Sequence, residues 1–299
     1  MNTNVLDKAK EILKIRRETA EKIAADNKEK ALAFPQFKNL YSKYMTLIIE
    51  NAKNGLASSA ESKKLEKEMG EFLKSHKIGS ITPKYSCPKC NDNGMIDGKK
   101  CTCLIKEINE ILKNESNFGH LEDFDSASIE IFDNKILMQE IYQKMKNWCH
   151  SNFKHNLILI SGNTGVGKTY LTKCMANELI KLNYLVLFTS SFKLHQDFLK
   201  SHACIDFEEK ANILDKYLTV DILFIDDLGS ENRIPKVTDG YLYQIINERK
   251  IMNKPTIITT NLDGFELKNA YSERISSRIF NRESSYCFQI SNSDLRLKK

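Results

Sequence analysis

The sequence predicts an α/β protein in which helices flank a parallel sheet built around a phosphate-binding loop, preceded by a smaller helical and cysteine-rich module. Three observations predict it. An apolar run, Ile158-Leu159-Ile160-Ser161, feeds the glycine-rich stretch Gly162-Asn163-Thr164-Gly165-Val166-Gly167-Lys168-Thr169. From there onward, short β-branched runs alternate with segments of helical period. Ahead of it, residues 5–33 contain no Gly or Pro, and four cysteines crowd between positions 87 and 103.

Composition sets the limits. At 299 residues the chain has room for one full α/β domain and a smaller module, and 41% apolar with 28% charged residues is ordinary for a globular protein. No apolar run reaches the ~18 residues that suggest a membrane span, and the N-terminus shows no apolar signal core, so a cytoplasmic location is expected. Eight cysteines in a reducing compartment favour metal ligation over disulfides. The net charge is +6, and the excess is N-terminal: residues 1–80 hold 16 Lys+Arg against 11 Asp+Glu. Such a balance suits an acidic partner or nucleic acid, and equally a solvated lysine-rich helical surface.

Residues 5–33 read as one long helix ending before Pro35, with a thin apolar stripe that needs a partner surface. Leu40, Tyr44, Leu47 and Ile48 mark a second helix. Ser58 with Glu61 forms an expected capping box for a third, whose Leu65, Met69, Phe72 and Leu73 face one way. Residues 1–80 therefore make a helical module with little core of its own. Next come Cys87-Pro88-Lys89-Cys90 and Cys101-Thr102-Cys103, with Asn93-Gly94 and Asp97-Gly98 between them to reverse the chain. Four thiolates suit a closed, structural zinc site that staples this module; His76 or His120 is an alternative ligand, and free thiols or a redox pair an alternative use. The expected division is 1–80 helical module, 81–110 cysteine-rich module and linker, and 111–299 nucleotide-binding domain. The boundary itself falls between Cys103 and Phe118.

Helices at 104–114 and 136–152 lead to the loop, the second burying Ile141, Met145 and Trp148. Phe124 and Ile129, lying between them, are candidates for contact with a nucleotide base or for ordinary core. In the loop, Gly162, Gly165 and Gly167 let successive N–H groups turn toward an anion, and the following helix adds its positive end. Lys168 reaches the β- and γ-phosphates of a nucleoside triphosphate, and the Thr169 hydroxyl ligates Mg²⁺. The run 185–189 is a buried strand, followed by two helices between Ser191 and Leu218. Then Ile222-Leu223-Phe224-Ile225 ends in Asp226-Asp227, a strand tip that meets the loop mouth. Asp226 is expected to hold Mg²⁺ and Asp227 to polarise the attacking water. A helix at 237–252 precedes Thr256-Ile257-Ile258-Thr259-Thr260-Asn261, whose terminal amide is placed to read the γ-phosphate. Arg278, with Arg274 second, is expected to reach a neighbouring subunit's phosphate rather than its own. A last strand covers 286–290.

In this order the motifs resemble an AAA+ ATPase core, and more narrowly the bacterial replicative-helicase loaders of the DnaC/DnaI type. The 162–169 stretch matches the Walker A motif of that family, Ile225-Asp226-Asp227-Leu228-Gly229 its Walker B, Thr259-Thr260-Asn261 its sensor 1 strand, and 272–280 its arginine-finger box. The cysteine cluster is similar to the zinc module of DnaI-like loaders, and Asp294-Leu295-Arg296-Leu297-Lys298-Lys299 to endings in the group. The resemblance implies ATP, Mg²⁺ and Zn²⁺ as cofactors, and a DnaB-type replicative helicase, single-stranded DNA and further copies of this chain as partners. A transposition helper of the IstB type, or a nucleotide-gated adaptor that does not hydrolyse, is the alternative. DNA contact is expected from Phe192, Lys193, Phe198 and Lys200. Two departures stand out. Many AAA+ proteins carry Glu where Asp227 stands, which implies slow hydrolysis, and there is no room after residue 290 for a helical lid with its sensor arginine.

Overall fold

The computed structural model describes residues 3–55, 57–116 and 119–297. Phe118, at the expected domain boundary, and Lys298-Lys299 of the basic ending lie outside the described residues. Packing divides the chain into two units, Lys10–Cys103 and Met1–Ala9 with Leu104–Lys299.

The first unit contains most of α1 (Thr3–Leu32), then α2 (Pro35–Lys53) and α3 (Ala60–Ser75). Pro35 begins α2, where its missing N–H costs nothing. The N-cap of α3 is Ser59, not Ser58: its hydroxyl accepts from Ser62 N–H, and the Ser62 hydroxyl accepts in return from Ser59 N–H. The expected box was therefore one residue early, because Ser62 rather than Glu61 occupies the third helical position. Ala31, Phe37 and Met69 are the buried centre of this unit, with Tyr44, Phe72 and Leu73 packed against them. Two links join helix and cysteine segment: Asn27 Nδ2 donates to Ser80 O at 3.0 Å and Tyr85 Oη to Glu21 Oε1 at 3.2 Å. β1 (Met95–Ile96) and β2 (Lys99–Lys100) form the hairpin that turns the chain between the cysteine pairs.

In the second unit, α4 (Thr102–Ser116) and α5 (Lys135–Cys149) precede β3 (Leu157–Ser161) and α6 (Lys168–Lys181). Then follow β4 (Val186–Ser190), α7 (Ser191–Ala203), α8 (Phe207–Thr219), β5 (Ile222–Leu228), α9 (Pro235–Ile251) and β6 (Thr256–Thr260). The short α10 (Gly264–Ala270) and α11 (Glu273–Ile279) lead to β7 (Ser285–Gln289). Among the described residues five strands form one parallel sheet in the order β4-β5-β6-β3-β7. The inner strands are buried along nearly their whole length, which explains their continuous apolar runs. Ile158, Ile160, Leu171, Met175, Phe224 and Ile257 form the centre of the core between sheet and helices. Because all strands run the same way, the ends of β3, β5 and β6 that carry the loop, the acid pair and Asn261 meet at one edge.

Arg249 was not singled out from the sequence, yet it fixes this arrangement. It is fully buried on α9, and its guanidinium donates to the carbonyls of Tyr217, Val220, Asp221 and Pro255 and to Thr256 Oγ1, at 2.6–3.1 Å. These acceptors are the turns that enter β5 and β6. One side chain thereby locks the starting points of the two strands whose far ends bear the acid pair and Asn261.

Candidate nucleotide-binding site and metal centre

β3 delivers the chain into the glycine loop at residue 162. Gly162 has φ +147, and a Cβ there would stand 2.3 Å from the Ile290 carbonyl, so only glycine fits. Gly167 takes φ +99 and caps α6 without a side-chain hydrogen bond. The first-turn N–H groups of α6 are thus left to face an anion.

Lys168, placed at the start of that helix, is buried. Its ammonium donates to Gly162 O at 2.7 Å, Asn163 O at 2.8 Å and Asn261 Oδ1 at 2.7 Å. Burial pulls its pKa below the ordinary value, while Asp227 and Asp226 work in the opposite direction. Asn261 also donates through Nδ2 to Asp227 Oδ1, so one amide bridges the loop lysine and the second acid. Asp226 accepts from Thr169 Oγ1, 3.0 Å from both carboxylate oxygens, and from Thr259 Oγ1 at 2.7 Å. Burial raises the Asp226 pKa, and the two threonine hydroxyls offset part of that rise. A hydroxyl and a carboxylate 3.0 Å apart match adjacent ligands in an octahedral Mg²⁺ shell, whose edges are about 2.9 Å.

Asp227 points into the cleft because β5 is irregular there. The register shifts between Ile225 and Leu228, and Asp227 takes φ +59, held by its own N–H donating to Thr259 Oγ1 at 2.8 Å. Thr259 therefore positions both acids, a role that does not stand out from the sequence, because it is one of three threonines in a five-residue strand. The resulting cleft has a volume of about 210 Å³ and is lined by Lys168, Thr169, Asp226, Asp227, Asn261 and also Arg296.

The other candidates fall elsewhere. Arg278 does not line this cleft: its Nε donates to Asn247 Oδ1 at 2.8 Å, and its guanidinium lies over the Tyr243 ring. Arg274 is exposed. Phe124 and Ile129 pack against the main core, and it is the unpredicted Phe132 whose ring lies beside Gly167. Of the residues expected to touch DNA, Phe192 and Lys200 are exposed, but Phe198 is buried and stacked on Tyr241, which removes it as a base platform. Lys193 pairs with Asp197 at 3.1 Å.

In the other unit the sulfurs of Cys87, Cys90, Cys101 and Cys103 lie within 4.8 Å of one another. Cys87–Cys101 and Cys90–Cys103 are separated by 3.8 and 3.4 Å, close to the ~3.8 Å edge of a tetrahedron with 2.3 Å Zn–S bonds. Asp92 holds the first knuckle by accepting from the N–H groups of Ser86 and Cys87, and Gly94 N–H donates to the Cys90 sulfur. Burial opposes ionisation of Cys101, but a Cys103 backbone hydrogen bond and the neighbouring thiols bring it down to about 7. The four residues fit a zinc ion. His76 is not among them: its ring stacks on Phe72 at 3.9 Å. His120 belongs to the other unit.

The profile of the IstB-like ATP-binding protein family matches residues 112–299. The chain belongs to that family. This IstB-like protein is 27% identical over 232 residues to the phage-like element PBSX protein XkdC of Bacillus subtilis, covering 69% of this chain and 83% of that one. It is 27% identical over 140 residues to the replicative helicase loader DnaI of Bacillus subtilis, and 28% over 131 residues to the loader DnaC of Buchnera aphidicola. These matches cover 46% and 42% of this chain and only 44% and 52% of the loaders, so the alignment spans about half their length. The crystal structure of DnaI, 28% identical, corresponds to 63% of this chain and 93% of its own, with a TM-score of 0.46. The likeness to DnaC/DnaI-type loaders implied by the motifs is therefore matched by relatives of that name.

Proposed function

We propose that this IstB-like protein is an ATPase that loads a DnaB-type replicative helicase onto single-stranded DNA. What carries the reading is the Asn261 amide joining Lys168 to Asp227, in a chain whose relatives include two helicase loaders. In this reading the loop from Gly162 to Gly167 cradles the phosphates, and Lys168 exchanges its carbonyl partners for phosphate oxygens. Thr169 and Asp226 would hold a Mg²⁺ ion, which would supply positive charge to the phosphates when bound. Asp227 accepts a proton from the attacking water, and Asn261 orients that water against the γ-phosphate. Arg278, released from Asn247, serves the site of a neighbouring copy. The helical segment 1–80 grips the helicase, and Cys87, Cys90, Cys101 and Cys103 would hold a zinc ion that would brace segment 81–110.

The test is helicase loading onto single-stranded DNA circles with ATP. Wild-type protein is expected to raise the loaded fraction and the Lys168→Ala variant to leave it at background. Loading by that variant at the wild-type level, or no co-purification with the helicase, overturns the reading. The family match supports a second reading, a transposition helper that acts on a transposase bound to duplex DNA. Stable association with transposase and none with helicase is the outcome that selects it.

A further inference from the structure

Beyond β7 the chain does not leave the site. Ile290 N–H donates to Ser161 O at 2.9 Å, continuing the pairing alongside the loop strand. The segment then passes residues 132–134. Asp133 N–H donates to Asn292 Oδ1 at 2.8 Å, while the Asp133 carboxylate accepts from Ser293 N–H at 2.7 Å and from Ser293 Oγ at 3.2 Å. Leu295 N–H donates to Gly165 O at 3.0 Å, and the Leu295 side chain joins Phe132 beside Gly167. These contacts strap residues 290–295 across the glycine loop, with the Asp294 carboxylate against Gly165.

Arg296, the next residue, is thereby delivered to the cleft that Lys168 and Asn261 line. Its guanidinium is paired with Asp294, Nε to Oδ1 at 3.0 Å and Nη2 to Oδ2 at 2.9 Å. The side chain is 65% exposed, and among the described residues that pair and the backbone strap hold it. A guanidinium has five N–H donors, and the pair with Asp294 uses two of them. Two cations, Lys168 and Arg296, thus border one small cleft, and the guanidinium's charge adds a little to the burial that pulls the Lys168 pKa down. A planar fork of this kind matches phosphate oxygens better than a lysine does.

We infer that Arg296 is a nucleotide-binding residue supplied by the chain's own C-terminal strap, contacting the phosphate chain of the bound nucleotide while Asp294 fixes its orientation. The inference rests on nucleotide binding at the glycine loop. Because the contact is with phosphates, its strength grows with their number, so ATP gains more from Arg296 than AMP does.

Titration calorimetry of the full chain with MgATP and with AMP tests this. Arg296→Ala is expected to weaken MgATP about tenfold, the size of one charge-assisted hydrogen bond, and AMP less than about twofold. Arg296→Lys is expected to fall between, since it restores the charge without the fork. Arg296→Ala binding MgATP as tightly as wild type overturns the inference, as does an equal loss for both nucleotides. If Arg296→Ala melts below wild type without nucleotide, Arg296→Lys decides, and its equivalence to Arg296→Ala then overturns the inference. Failure of wild-type protein to bind MgATP, with Lys168→Ala indistinguishable from it, refutes the nucleotide site itself and is a separate result.

Discussion

Lys168 is held by two loop carbonyls and the Asn261 amide. Nucleotide entry is therefore an exchange of partners, and Lys168→Ala removes the incoming bond without leaving a charge stranded. It is expected to lower MgATP affinity about a hundredfold; a calorimetric titration showing unchanged affinity refutes this. Asp227→Asn preserves the left-handed backbone and the size of the side chain but removes the proton acceptor. Turnover is expected to fall at least ~100-fold while nucleotide affinity changes little, measured by phosphate release and by titration. An adaptor that does not hydrolyse would show no difference in phosphate release. These residues were legible in the sequence because phosphate chemistry dictates their types and spacing. Thr259 was not, since a threonine inside a strand serves packing as readily as hydrogen bonding, and only its position beside Asp226 and Asp227 separates the two.

Elements were read well wherever apolar period was strong, and poorly where a single polar contact decided the outcome. The strands and their helices fall close to the expected positions, whereas the α3 cap was misplaced by one residue and Phe198 was read as a surface aromatic. Nothing in the α9 pattern distinguishes Arg249 from the charged residues around it, because its burial depends on two turns outside the helix, before β5 and before β6. Arg249→Met is expected to destabilise the nucleotide-binding unit by about 4 kcal/mol, as several buried carbonyls lose their donor; a denaturant midpoint within error of wild type contradicts it. Asp197 links α7 to α8 by accepting from Lys193, Lys216 and Tyr217. Burial alone would raise its carboxyl pKa, but Lys216, Tyr217 and Lys193 outweigh that and hold it below the ordinary 3.8. The folded pKa lies below the unfolded one. The stabilisation is therefore complete above the ordinary value and is lost as pH falls through the native one. Urea midpoints from about pH 5 to about pH 3 should drop more steeply for wild type than for Asp197→Asn; parallel slopes refute the assignment.

At the scale of the molecule, the helical and cysteine segments share one unit with only a small buried apolar centre among its described residues. Its integrity is expected to depend on metal. Chelation should release about one zinc per chain and lower helicity while MgATP affinity stays near wild type. A chain purified without stoichiometric zinc and folded nonetheless contradicts this. The cysteine spacing announced a four-sulfur cluster, and the close approach of all four sulfurs rules out His76 as a substitute. No helix is long and apolar enough to cross a membrane among the described residues, in keeping with the hydropathy of the sequence. The pairing of β3 with β7 bears on how the protein is made. β3 lies between β6 and β7, and Ile290 and Leu295 bond directly to the loop segment that begins at residue 161. On the ribosome the glycine loop at residues 162–169 emerges before its neighbouring strand, Ser285–Gln289, has been made. Until then β3 is a bare edge, open to pairing with other nascent chains. A chain cut before residue 290 would thus keep residues 162–169 yet lose the Ile290 and Leu295 bonds that close the glycine loop, and Arg296 with them.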